Sequence, residues 1–290
     1  MSTLIQKLVD LYQLAMHHAL RHAPVDIASS LGGMLVRANV KLNRPEIIAG
    51  AKRNLLRHRP ELSQQEADAM IWRFLDNVGR HMGECSVLGR MVEIERFESI
   101  GLAQLRELFG KSPVLSIHLH TGNWEVFGPA LALHGIRTAT FYEPPASAVQ
   151  RRIIEKTRLL AGFDLLTPDQ RGLREAIVRL RNNGLVSIAC DEARAGRLMA
   201  PLFGRPPHAK GNLAVAAKLA RRSNALVVIS HCERLPNCRF RLNVSPPFRL
   251  PETQSGLLED VRFLNDRIEP IILAHLDQWY FLDDSIEQVA

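Results

Sequence analysis

The feature that most constrains this chain is a change of hydrophobic period near residue 110. Upstream, apolar residues recur at helical spacing; downstream, short apolar runs alternate with amphipathic stretches about three turns long. Residues 113–120, 136–142, 185–190 and 225–232 read as strands, and the stretches 124–134, 147–160, 173–183 and 213–221 as helices. Gly135 and Gly184 sit where two of these helices should stop. Residues 239–244 alternate with a two-residue period and are predicted to return antiparallel across the Leu235-Pro236-Asn237 turn. Strands separated by helices predict an α/β fold, a mixed central sheet flanked by helices. No repeat or linker divides the chain, so a single domain over residues 1–290 is expected, with a helical N-terminal lobe (1–110) and an α/β catalytic core (111–290).

The N-terminal segment carries its own signals. Leu4, Leu8, Leu11 and Ala15, widened by Ile5, Val9, Tyr12 and Met16, form one stripe. Ser63-Gln64-Gln65-Glu66 reads as a capping box, with Met70, Ile71, Phe74, Leu75, Val78 and Met82 on one face behind it. Such a face either packs on the core or lies on a bilayer. No apolar run approaches the ~20 residues of a membrane span. Charge arrives at Lys7 and Asp10, which leaves no room for a signal-peptide core. The four cysteines form no Cys-x-x-Cys pair and are expected to be reduced thiols. Lysine and arginine (37) outnumber aspartate and glutamate (30), a net charge of +7 that favours anionic partners. No helix-turn-helix or basic–aromatic stacking pattern supports nucleic acid as that partner.

The chemistry concentrates in His118-Leu119-His120-Thr121-Gly122-Asn123-Trp124-Glu125. His120 falls at the end of a strand and Glu125 in the first turn of the next helix. A carboxylate five residues on is placed to orient the imidazole and favour its protonated form, making a general base. Gly122 permits close backbone approach, and the helix N-terminus offers N–H groups to an oxyanion. The same spacing equally serves a histidine bonded within its own turn. His118 and His120 share a strand face, but no third residue at ligand spacing completes a metal site, and none is assigned. Cys232 and His231 fall on opposite strand faces, which argues against a thiol nucleophile. Trp124 and Trp279 read as packing residues, and Lys52, Arg53, Arg57, His58 and Arg59 as a solvated basic helix end.

His120-Thr-Gly-Asn-Trp-Glu125 resembles the His-x4-Asp/Glu motif of the lipid A biosynthesis (lauroyl/myristoyl) acyltransferase family. The likeness continues in order along the chain. Tyr142-Glu143-Pro144 resembles a Tyr-Arg-Pro segment, and Leu173-Arg174, with Leu180 and Gly184, a leucine-arginine helix closed by glycine. Asp191-Glu192 stands for an acidic pair after a strand, and residues 202–207 for a Phe-Phe-Gly-x-Pro-Ala element. His275-Leu-Asp-Gln278-Trp279 resembles His-Pro-Glu-Gln-Trp. Three departures concern the acceptor: no long apolar anchor, Glu143 for a basic residue, and Ala209 beside Lys210 for a threonine.

The resemblance implies a glycerolipid-acyltransferase-like fold and direct acyl transfer from a thioester to a hydroxyl or amine of an amphipathic lipid or glycolipid. His120 is then the base and Glu125 its orienting partner, with Asn123 and the N–H groups near Gly122 as oxyanion donors. Asp191 is expected near the site at its strand end, and Arg158 either meets a phosphate or pantetheine or is a solvated helix arginine. The donor is an acyl carrier protein or coenzyme A thioester, with no separate cofactor. The expected setting is the cytoplasmic face of a bacterial inner membrane, bound peripherally to an anionic membrane surface. A thioester hydrolase on the same scaffold and a non-catalytic basic lipid-binding protein are the competing readings.

Overall fold

The computed structural model describes residues 3–145, 147–194, 197–252 and 256–283. The chain opens with helices α1 (Thr3–His22), α2 (Val25–Asn43), α3 (Pro45–His58), α4 (Gln64–Glu84) and the short α5 (Leu88–Glu93). The stripe residues Leu4, Ile5, Leu8 and Val9 have side chains outside the described residues. The capping box forms as expected: the Ser63 hydroxyl accepts the Glu66 N–H while the Glu66 carboxylate accepts the Ser63 N–H. Ile71, Phe74 and Leu75 of α4 are buried, so this face packs on the core, whereas Met82 turns outward. Helices α2 and α4 meet backbone to backbone. A Cβ on Gly79 would collide with the Gly32 carbonyl, and one on Gly83 with the Ala28 carbonyl. This close contact fixes where the C-terminal end of α4 lies, and that end reaches the site.

The N-terminal segment is not wholly helical. Strand β1 (Phe97–Ile100) joins the main sheet, a correction to the all-helical reading of residues 1–110. Four residues are too few to display a period. The remaining elements are α6 (Leu102–Leu108), β2 (Val114–His118), a 3-10 turn (Trp124–Val126), α7 (Phe127–Leu133), β3 (Thr138–Phe141), α8 (Ala148–Leu160), β4 (Phe163–Leu166), α9 (Gln170–Arg181), β5 (Leu185–Ala189), β6 (Ala193–Arg194), β7 (Arg197–Leu198), α10 (Gly211–Ser223), β8 (Leu226–Leu235), β9 (Arg239–Val244) and α11 (Leu257–Ala274). Short β4 and proline-interrupted α11 escaped the sequence reading for the same kind of reason: length in one case, Pro270 in the other.

The main sheet has seven strands in the order β1-β9-β8-β2-β5-β3-β4. Strands β8, β2, β5, β3 and β4 run parallel; β9 turns back antiparallel on β8, and β1 follows β9. The fold is therefore α/β with a mixed central sheet flanked by helices.

The two sheet faces differ in chemistry. One presents Leu115, Ile117, Val186, Ile188, Val227 and Ile229 to the core beneath α9, α10 and α11. The other carries Ser116 and His118 on β2, Ser187 on β5, Thr138 and Thr140 on β3, and Ser230 on β8. Its serines and threonines are buried too. The candidate site lies at the C-terminal ends of β2 and β5, where ligands gather in parallel sheets.

Candidate active site

Beyond β2 the chain stays tied to its neighbours before it turns. The Leu119 N–H donates to the Ser230 carbonyl (3.1 Å), and the Cys190 N–H to the His118 carbonyl (3.2 Å). Gly122 then takes φ 58°, and a Cβ there would stand 2.6 Å from the Cys232 carbonyl oxygen. Only glycine passes this point without strain. The C-terminal segment straps the turn from the other side. The Gly122 N–H donates to the Gln278 carbonyl (3.0 Å), and the Tyr280 N–H to the His120 carbonyl (2.9 Å).

His120 is held by Asp191. Its Nδ1 lies 2.7 Å from Asp191 Oδ1, and its backbone N–H donates to Oδ2 at 2.8 Å. The Trp279 indole N–H donates to the same Oδ2 at 2.9 Å. Asp191 is fully buried. Burial raises its carboxyl, but the facing His120 and these donors outweigh that and hold it below the ordinary range. An ionised carboxylate accepts only, so Nδ1 carries the proton and Nε2 presents its lone pair. Asp191 thus has the orienting role that sequence spacing gave to Glu125.

Glu125 is engaged elsewhere. Its carboxylate accepts from Arg158 Nε (3.0 Å) and Nη2 (2.6 Å) and from the Trp124 indole N–H (3.1 Å). Burial raises the Glu125 carboxyl, and the Arg158 guanidinium more than offsets it, holding it down at about 2. This pair ties α8 to the 3-10 turn. Arg158 is therefore neither a solvated helix arginine nor unengaged for phosphate: two of its nitrogens are committed to Glu125.

The predicted oxyanion donors are also committed. The Gly122 N–H serves Gln278, and the buried Asn123 amide donates to Glu84 Oε2 at 2.8 Å. Asn123 Oδ1 instead caps the 3-10 turn by accepting the Glu125 N–H (3.2 Å), and it faces His81 Nδ1 at 3.2 Å. Both residues shape the loop; neither points a donor outward. Behind Asn123 stands a network that sequence reading missed. Glu84 Oε2 accepts from Arg234 Nη2 (2.8 Å), and Oε1 from Arg234 Nη1 and the Ser29 hydroxyl (2.6 Å). Burial pushes Glu84 up, Arg234 pulls harder, and the carboxyl lies at about 2. Burial also drives His81 down to about 4, so its ring is neutral where it stacks on Trp124 (4.0 Å). The Trp124 edge in turn contacts the His120 ring at 4.7 Å. No local pattern signals these partners, because they come from α2, α4 and β8.

Under the loop, a cavity of about 30 Å³ is lined by Ser116, His118, Trp124, Glu125, Thr138 and Arg158, among others. His118 Nδ1 meets the Ser187 hydroxyl at 2.9 Å, and burial pushes its imidazole down to about 3. His118 is thus a neutral wall residue of the cavity, while the His120 side chain keeps 18% exposure. A base with an accessible Nε2, backed by a buried carboxylate, fits proton removal from an attacking hydroxyl or amine.

The family model described as bacterial lipid A biosynthesis acyltransferase matches residues 3–285. No curated protein matches the chain. Among solved structures it is similar to the crystal structure of the 1-acyl-sn-glycerophosphate acyltransferase PlsC from Thermotoga maritima. That likeness has 11% identity and a TM-score of 0.39, and it covers 87% of this chain and 95% of that one.

Proposed function

The chain belongs to the bacterial lipid A biosynthesis acyltransferase family, and from that premise we propose that it moves a fatty acyl group from a thioester to a hydroxyl or amine of an amphipathic lipid or glycolipid. His120 Nε2 removes the acceptor proton as the acceptor oxygen or nitrogen attacks the thioester carbonyl carbon. Asp191 stabilises the imidazolium that results. The tetrahedral intermediate collapses with cleavage of the C–S bond, and the imidazolium returns its proton to the departing sulfur. No acyl-enzyme forms. What supports this reading is the buried Asp191 bond to Nδ1, which fixes the tautomer with a basic Nε2.

The donor is an acyl carrier protein or coenzyme A thioester; both are acidic and suit a chain of net charge +7. The protein works at the cytoplasmic face of a bacterial inner membrane, held peripherally on anionic lipid. Among the described residues, no helix is long and apolar enough to cross a membrane. Helix α8 has no buried residue, exposes Leu159 and Leu160, and carries Arg151, Arg152 and Lys156, a composition that suits a lipid surface.

The test is turnover of a radiolabelled acyl thioester by the purified protein, with and without lipid extract, in wild type and His120→Ala. Label entering lipid only when extract is present, and lost in the variant, is the expected result. Release of free fatty acid without extract would establish hydrolysis instead, and turnover indifferent to His120 would overturn the site.

A further inference from the structure

Phe203 adopts a backbone conformation that its side chain disfavours. Its φ is 62° and that of Gly204 is 77°, so two consecutive residues are left-handed. Those are the φ signs of a type I′ turn, in which asparagine or glycine ordinarily fills the first position. A bulky residue there is strained, and such strain persists only where surrounding contacts impose it. Contacts from two directions do so. The Arg205 guanidinium donates to the carbonyls of Leu198, Ala200 and Leu202, which closes the loop on itself. From α11, Glu269 Oε2 accepts the Phe203 N–H at 2.8 Å and the Asn265 amide at 3.1 Å.

The ring held in this way packs on two others. His58, at the end of α3, is half-buried and lies against it with 4.1 Å between ring centroids. The Trp279 ring meets it edge to face at 5.8 Å, within the range at which aromatic pairs attract. Phe281 in turn packs edge-on against both Trp279 (6.1 Å) and His120 (5.2 Å). Trp279 is fully buried, and its indole N–H reaches Asp191 Oδ2, the oxygen that also accepts the His120 N–H. A tilt of the indole would take that donor away from a buried carboxylate and free the carboxylate to turn. Phe203 and Phe281 both pack against the indole and oppose such a tilt.

We propose that Phe203 is a positioning residue for acyl transfer: its ring wedges the Trp279 indole against Asp191, and through that carboxylate fixes the imidazole of His120. This rests on the acyl-transfer reading above. A wedge needs a bulky ring at position 203, which is why phenylalanine stands where the backbone alone favours asparagine or glycine.

The experiment measures thioester turnover with lipid extract in wild type, Phe203→Ala, Phe203→Gly, Phe203→Tyr, Trp279→Phe, and Phe203→Ala combined with Trp279→Phe. Circular dichroism confirms folding. In parallel, ¹⁵N–¹H spectra of tryptophan-labelled protein follow the indole N–H groups; the chain has three tryptophans, and Trp279→Phe identifies the signal of interest. In Phe203→Ala and Phe203→Gly the Trp279 indole N–H is expected to exchange with solvent roughly tenfold faster than in wild type. Both variants lower kcat about tenfold, the scale of a hydrogen bond to a charged group, with KM within about threefold of wild type. Glycine removes the backbone strain along with the ring. Strain alone therefore predicts that Phe203→Gly outperforms Phe203→Ala, whereas the wedge predicts equal losses. Phe203→Tyr keeps a ring in place and retains both turnover and the protected indole. In the Trp279→Phe background, Phe203→Ala has little further effect on kcat, because the indole through which it acts is gone. An unchanged indole signal in Phe203→Ala overturns the proposal, as does a kcat loss that simply multiplies with that of Trp279→Phe. Release of the indole in a protein that turns over no thioester would uphold the wedge and count against the transfer reading. Turnover abolished in His120→Ala but indifferent to Phe203→Ala would do the reverse.

Discussion

Asp191→Asn separates two assignments that a sequence cannot. In the folded protein Asp191 Oδ2 accepts two N–H groups, from the His120 backbone and the Trp279 indole, while Oδ1 accepts from His120 Nδ1. An asparagine has one acceptor oxygen, and that oxygen serves two donors best where Oδ2 now lies. Its NH2 group then faces Nδ1 and donates to it. The imidazole must shift its proton to Nε2, the atom that should accept the substrate proton. The analogous exchange in a serine-protease triad costs ~10⁴ in kcat, about 5.5 kcal/mol of barrier. A loss of that order is expected here. The shape of the site is kept, so KM should move little. The assay is steady-state thioester turnover, paired with ¹⁵N NMR of labelled histidine to read the tautomer directly. Glu125→Gln is the control. It breaks the Arg158 pair and so loosens α8, costing stability of roughly 3–5 kcal/mol, but leaves Nδ1 bonded to Asp191. If Asp191→Asn kept more than a tenth of wild-type kcat while Glu125→Gln abolished turnover, the reasoning would fail and Glu125 would be the orienting carboxylate.

Two further outcomes follow from buried carboxylates outside that bond. Both Glu84 oxygens accept from several donors, so Glu84→Gln turns an NH2 group toward Arg234 or Asn123. The expected cost is about 3–5 kcal/mol, a fall in Tm of roughly 10 °C by calorimetry, with the residual activity lowered in kcat more than in KM. A melting temperature within two degrees of wild type would refute it. Glu192 is 12% exposed at its side chain and its Oε2 has no partner. Burial pushes its carboxyl up to about 7. Because the folded value lies above the unfolded one, its contribution to stability is full below about pH 4.5 and is lost as pH rises through 7, roughly 3 kcal/mol in all. Glu192→Gln should therefore be more stable than wild type at pH 8 and gain nothing at pH 4.5. A stability difference that does not change between those two pH values, measured by urea unfolding, would contradict the burial argument.

Much of the fold was legible because it is written in local period. The strand at residues 185–190, the helix capped by Ser63 and the antiparallel return across Leu235-Pro236-Asn237 each depend on a few consecutive residues, and each appears nearly where expected. Elements too short or too interrupted to show a period, such as β1, β4 and α11, were missed. The site was legible as a location. His120 at a strand end, Gly122 at a forced turn and Asp191 at another strand end are all marked by the residues around them, and the structure brings them together.

Sequence by itself determined the α/β class, the place of the candidate loop and the residue types near it, since period, turn chemistry and motif order are properties of neighbours along the chain. Only tertiary structure decided which carboxylate meets which base. Glu125 is five residues from His120 yet bonds Arg158, while Asp191 reaches His120 because β2 and β5 lie side by side in register. The commitment of Asn123 to Glu84, the clamp of Arg234 and the Trp279 bond to Asp191 likewise join segments dozens of residues apart or more. Buried charges must find partners wherever packing brings them, and which partners those are depends on strand order and helix docking, not on spacing along the chain.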